Sequence, residues 1–125
     1  SINRQNEHLS TPIHELAKIH TTMHLNTLEF LIGLSNVNLN LKDEKGNIAL
    51  RYLVTNESED ESLQELLQRV VRKFTQNIRD INVKNNDGET CLHAACAGDD
   101  ATIVKLLIAC GANVEALTTF VQVSN

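Results

Sequence analysis

The sequence predicts an all-α fold in which helix-turn-helix units stack side by side, joined by tight β-turn or hairpin tips. Three observations carry that prediction. The segments "STPIHELAKI" (10–19), "GNIALRYLVT" (46–55) and "GETCLHAACA" (88–97) align with one another. Each is followed by an apolar helical run: "TLEFLIGL", "LQELLQRVVRKF" and "ATIVKLLIA". Each run then leads into a related closing phrase: "VNLNLKDEKG", "IRDINVKNNDG" and "GANVEALTT". Equivalent positions lie 37 residues apart from Thr11 to Ile48 and 42 apart from Ile48 to Thr90, and 33 separate Asn82 from Glu115. Self-similarity at this period is the mark of a repeat array, in which one unit cannot bury its own apolar face and about three must stack.

In the first unit, Thr11 before Pro12 reads as a helix N-cap with proline at the first helical position. The stretch "HTTMH" that follows reads as an inserted, threonine-rich bend, which places His20 and His24 in an exposed loop. In the second unit, Leu63, Leu66, Leu67, Val70, Val71 and Phe74 recur at steps of three and four, so one face of a long helix is apolar. Ser58 with Glu61 forms a candidate capping box, acidic residues crowd the start, and Arg69, Arg72 and Lys73 sit near the end, as the helix dipole favours. This is the longest expected helix. In the third unit, Gly111 after "KLLIAC" reads as a helix C-terminal cap. The glycines of "EKGN" and "NDGE" fit tight turns that need positive φ.

The third unit is similar to the ankyrin repeat. "DGETCLHAACAGDDATIVKLLIACGANVEA" follows the pattern D-x-x-G-x-T-P-L-H-x-A-A through Gly88, Thr90, Leu92, His93 and Ala95, and then I-V-x-L-L-x-x-G-A-x-V from Ile103 to Val114. The first unit keeps Thr11, Pro12, Ile13, His14 and Ala17. The second keeps Gly46, Leu50 and the Asp80, Ile81, Asn82 close, but has Ile48, Ala49 and Arg51 where Thr, Pro and His are usual. The resemblance implies an ankyrin-repeat solenoid: one domain with units at about 9–41, 42–82 and 83–117. Residues 1–8 read as a polar N-terminal cap, and 118–125 as a tail or the start of a further repeat.

Composition narrows the function classes. Hydrophobic residues make up 42% of the 125, and 11 basic against 16 acidic residues leave a net charge of −5. That balance disfavours binding to nucleic-acid phosphates, and 3% aromatic content leaves little to stack on bases. The longest apolar runs are far shorter than the roughly 18 residues of a membrane span. Three cysteines, odd in number and confined to one segment, read as reduced thiols of an intracellular chain, cytoplasmic with the nucleus also open.

The sharpest chemical candidate is a zinc site of Cys91, His93, Cys96 and Cys110. Its spacing is wrong, because residues 91 and 93 point to nearly opposite sides of a helix. The resemblance implies a structural task for His93, a hydrogen-bond network with Thr90 and loop backbone, and the same slot for His14. His20 and His24 lack a third ligand. No nucleotide-binding or metalloprotease motif occurs, and "NESEDES" lacks the ligand alternation and central glycine of a calcium loop. No enzyme activity, cofactor or metal is expected.

The resemblance implies instead that the chain binds another protein, as a monomer, along a concave groove made by the tips and first helices. By position, Lys42, Glu44, Lys45 and Asn47 form the first tip and Lys84, Asn86, Asp87 and Glu89 the second. Lys18, Ile19, Tyr52, Thr55 and Ala97 line the helical floor, with Tyr52, the only tyrosine, as the expected anchor. The expected role is an inhibitor or adaptor in signalling or transcriptional regulation. The alternative is a regulatory or targeting domain from a larger enzyme.

Overall fold

The computed structural model describes residues 2–34, 36–55, 60–98 and 100–117. Among these it has six helices and no strand: α1 (Pro12–Ala17), α2 (Thr22–Ile32), α3 (Ala49–Val54), α4 (Glu61–Asn77), α5 (Cys91–Ala97) and α6 (Ala101–Ala109). Each odd-numbered helix packs on the even-numbered one that follows it. Across units, α1 packs on α3 and α3 on α5, while α2 packs on α4 and α4 on α6. The result is two parallel rows, a short inner row and a longer outer row. Their shared seam is one continuous core, including Leu25, Leu28, Leu50, Leu53, Leu67, Phe74, Leu92 and Leu107.

The helix starts explain themselves locally. Thr11 caps α1, with its hydroxyl accepting from the His14 amide at 3.3 Å and Pro12 at the first position. At α4 the cap differs from expectation. Asp60, not Ser58, accepts from the amides of Ser62 and Leu63, because the helix starts at Glu61 and the cap must sit one residue before it; Ser58 lies outside the described residues. α4 is 17 residues long against 11 for α2 and 9 for α6, so part of the extra length of the middle unit is helix rather than loop. Likewise "HTTMH" is not a bend. Thr21 caps α2, whose first turn contains Met23 and His24, and the His24 ring bonds the Thr21 hydroxyl at 2.6 Å. His20 is half-buried, with Nε2 at 2.9 Å from the Ala17 carbonyl and 3.1 Å from that of Tyr52. Neither histidine is the free loop side chain expected.

The tips are the least obvious part of the architecture. Asp43 closes the first expected tip: its amide donates to the Asn47 carbonyl at 2.9 Å, and its Oδ1 accepts from the amides of Lys45 and Asn47 at 3.0 Å each. Asn85 repeats the pattern, donating to the Glu89 carbonyl at 2.8 Å and accepting from Asp87 and Glu89 at 2.9 and 3.0 Å. Asn6 repeats it again, donating to the Ser10 carbonyl and accepting from His8 and Ser10. Residues 6–10, expected to lie mostly in a polar end cap, therefore form a tip of their own. Its left-handed position is Leu9 (φ 60°), where the later tips use Gly46 (φ 79°) and Gly88 (φ 78°). The described loop at the end of α6 closes as expected on a left-handed glycine, Gly111 (φ 102°), whereas 118–125 lie outside the described residues.

Polar side chains on the opposite edge stitch the units together. Asn3, Asn40 and Asn82 each bond the loop of the following unit. Asn3 reaches the Asn36 carbonyl (2.6 Å), Asn40 that of Asp80 (3.0 Å) and Asn82 that of Gly111 (3.1 Å). Their spacing is the 37 and 42 of the repeat itself.

Candidate functional site

The inner row and the tips enclose a groove whose floor is set by hydrogen bonding rather than by apolar packing. Thr11 donates its amide to His14 Nδ1 (3.2 Å), which leaves Nε2–H to donate to the Asn47 carbonyl at 2.9 Å. The buried His14 ring thus ties the first helix pair to the tip of the second. Thr90 and His93 make the same cap, with the Thr90 amide 2.9 Å from Nδ1. In the middle unit the equivalent residue is Arg51, and Ile48 offers no capping side chain. Arg51 makes the connection by charge instead, with Nη2 at 3.1 Å from Glu89 of the next tip, both side chains largely withdrawn from solvent. The degenerate motif thus keeps its link to the neighbouring unit by a different chemistry.

Tyr52 lies at the centre of the groove, half-buried. Its hydroxyl donates to Asp43 Oδ2 and accepts from Asn47 Nδ2 at 3.2 Å. Lys18 Nζ sits 5.0 Å from the ring centroid, and the His14 ring meets it edge-on at 6.3 Å. Burial, then the bond to Asp43, raises the phenol above its ordinary pKa, so the ring is neutral throughout the physiological range.

Two open clefts meet at this residue. One, of about 420 Å³, is lined by His8, Ser10, Glu15, Lys18, Asp43, Glu44, Lys45 and Tyr52. The other, of about 480 Å³, is lined by Glu44, Lys45, Asn47, Arg51, Tyr52, Asn85, Asn86 and Asp87. Glu44, Lys45 and Tyr52 belong to both. Charges of both signs alternate along them, which suits orientation of a partner more than general attraction.

Of the residues expected to bind, the clefts gather Lys18, Glu44, Lys45, Asn47, Tyr52, Asn86 and Asp87. Asn47 is only 6% exposed, and its side chain is held by Tyr52 and Asn85, so it shapes the tip from within instead of offering itself to a partner. Glu89 is committed to Arg51. Lys42 and Lys84 stand on the tips outside both clefts, Lys42 Nζ donating to the Lys84 carbonyl at 3.2 Å. Ile19, Thr55 and Ala97 are exposed at the far ends of the inner helices, also outside them. Of the residues that line the clefts, the sequence reading missed His8, Ser10, Glu15, Asp43, Arg51 and Asn85. Extending the 37 and 42 offsets would have found Asp43 and Asn85, as partners of Asn6, and Arg51, as partner of His14 and His93.

The described residues hold no cluster of His, Cys, Asp or Glu arranged to take a metal. All three cysteines are free thiols, with Cys91 buried and Cys96 and Cys110 exposed. Burial pushes the Cys91 thiol up to about 12. A thiol raised this way resists reaction and adds stability that is complete below its unfolded value of 9.0 and lost as pH climbs towards 12. Iodoacetamide at neutral pH should therefore label two cysteines quickly and Cys91 only on unfolding, which mass spectrometry of the intact chain will show. Rapid labelling at three sites would contradict the packing of α5.

No described helix is long and apolar enough to cross a membrane. The family model of the ankyrin repeat matches residues 87–119. The chain is also similar to the nuclear factor NF-kappa-B p105 subunit of Gallus gallus, 33% identical over 115 residues, which is 92% of this chain. It spans 11% of that protein's length. This chain thus carries an ankyrin repeat at 87–119, with two further helix pairs stacked in series before it over the stretch that the likeness to the p105 subunit also spans.

Proposed function

We propose that the chain is a non-catalytic module that holds a partner protein in the groove centred on Tyr52, as an inhibitor or adaptor in signalling or transcriptional regulation. Ankyrin repeats in general mediate protein–protein interaction. The observation that carries the reading is the groove's pre-organisation. Tyr52, Asp43, Asn47 and Asn85 are locked in one network, so little side-chain freedom is lost when a partner docks. The relative's name makes it a subunit of a nuclear factor, and on that likeness the partner is a component of a transcription-factor assembly met in the cytoplasm or nucleus. The chain acts as a monomer, because a groove of this kind is filled by a different protein.

A partner isolated by the chain should be crosslinked through Lys18 and Lys45. Tyr52→Ala should weaken its binding by about 2 kcal/mol, or roughly thirtyfold, measured by calorimetry. Binding that survives both Tyr52→Ala and the double change Lys18→Glu, Lys45→Glu, in chains with unaltered unfolding midpoints, would place the contact elsewhere.

A further inference from the structure

One donor at the joint between the middle and third units finds no acceptor among the described residues. Arg51 reaches Glu89 through Nη2, yet its other terminal nitrogen, Nη1, is buried and bonds neither that carboxylate nor any other group. A guanidinium carries only donors, and leaving one of them buried and unpaired is costly, so such groups are normally satisfied by protein or by ordered water. The equivalent side chain of the first unit has no such remainder. His14 uses Nδ1 on Thr11 and Nε2 on the Asn47 carbonyl, and so reaches the backbone of the next loop directly.

Arg51 borders a small cavity between the two units. Asn47 and Ile48 of the middle unit line it with Glu89, Thr90 and Cys91 of the third. Asn47, Ile48, Thr90 and Cys91 are all buried, which shields the space from bulk solvent. About 10 Å³ is open to the centre of a water-sized sphere, which matches one water molecule and is too little for a larger ligand. A hydrogen-bond acceptor stands on the same wall. Arg51 takes only Oε1 of Glu89, and Oε2 accepts from no donor among the described residues. Charge selects in the same direction. The guanidinium opposes a metal cation, the Glu89 carboxylate opposes an anion, and the Cys91 thiol between the two units is neutral.

We infer that this cavity binds one ordered water molecule, which accepts from Arg51 Nη1–H and donates to the carboxylate of Glu89. The arginine then spans its joint by two bonds, one direct and one through water, where His14 spans the joint before it by a single ring nitrogen. The site is thus what the middle unit acquired with its departure from the repeated histidine. Asn47 and Arg51 also line the second cleft of the groove, so the water fixes a side chain that shapes the floor of that cleft.

The test is a high-resolution crystal structure of the full chain, joined to water-oxygen magnetic relaxation dispersion, which counts the long-lived waters in solution. The expected density is a single peak about 2.7 to 3.2 Å from both Arg51 Nη1 and an oxygen of Glu89. Arg51→Met keeps a long apolar stem and removes the donors, so the count in solution should fall by one water. Circular dichroism will show whether that variant is folded, and if it is not, the density of the parent chain decides alone. Nη1 bonded directly to a protein oxygen, or a cavity without density, would overturn the inference. So would an unchanged count of long-lived waters in folded Arg51→Met. A bromide soak that gives an anomalous peak at the site would assign it to an anion and equally sink the proposal.

Discussion

Phe74→Ala should lower the stability of the chain by about 3 to 5 kcal/mol, the largest effect of any single side-chain truncation expected here. The ring is fully buried on α4, a helix that touches α2, α3 and α6, so the cavity would open in the unit packed between the other two. In a stacked array each unit is stable chiefly through its neighbours. Loosening the middle one therefore removes support from both sides. Urea unfolding followed by circular dichroism will measure the change as a lower midpoint. Phe30→Ser, in the same assay, should move it by no more than about 0.5 kcal/mol, because an exposed side chain has little burial to lose. A Phe74→Ala cost under about 1 kcal/mol would mean that α4 does not close the core as described.

The second large effect belongs to a glycine. Gly46→Ala should cost about 2 to 4 kcal/mol, whereas Gly88→Ala should cost about 1 to 2. Both sit at the same point of their tips with φ near +79° and +78°, so both carry the left-handed penalty of an L side chain. They differ in what a Cβ would meet. At Gly46 it would stand 2.5 Å from Asn86 Oδ1 and 2.7 Å from the Asn86 amide nitrogen, whereas at Gly88 nothing lies within 4 Å. Asn86 cannot yield cheaply. Its amide donates to the Lys45 carbonyl (3.0 Å) and its side chain to the Glu44 carbonyl (2.9 Å), and these bonds hold the two tips together. Gly46→Ala should thus also spread the cleft between the tips and weaken partner binding. Equal losses at the two glycines would show that the tips are not in contact. Leu9, non-glycine at the equivalent point of the first tip, holds the same left-handed conformation at φ 60°.

The helices and their serial order were legible in the sequence because their causes are local and periodic. An N-cap threonine before proline, a glycine beyond the last apolar turn, and leucines at steps of three and four each act within one or two turns of chain. The length of α4 followed from the same reasoning. Errors fell where the competing signals were also local. Ser58 and Asp60 are both good caps, and it is Asp60 that accepts from the amides of Ser62 and Leu63 at the start of α4. "HTTMH" has poor helix formers, yet Thr21 capping through His24 and the burial of Leu25 and Leu28 pull the stretch into α2.

The amino-acid sequence by itself determined that this protein is a row of helix pairs and that glycines turn the tips at 43–47 and 85–89. Only the tertiary structure decided which polar residues stay open to solvent and which are consumed in building the groove. Asn47 and Glu89 look like exposed loop residues until Tyr52, Asn85 and Arg51 are brought to them from 5 to 38 positions away. Phe30 and Phe74 likewise look alike in an apolar run, and only the direction each faces in the stack separates a core ring from an exposed one. The physical reason is that capping and periodicity act over a turn or two of helix. Hydrogen-bond satisfaction and burial are settled between residues that the chain itself keeps far apart.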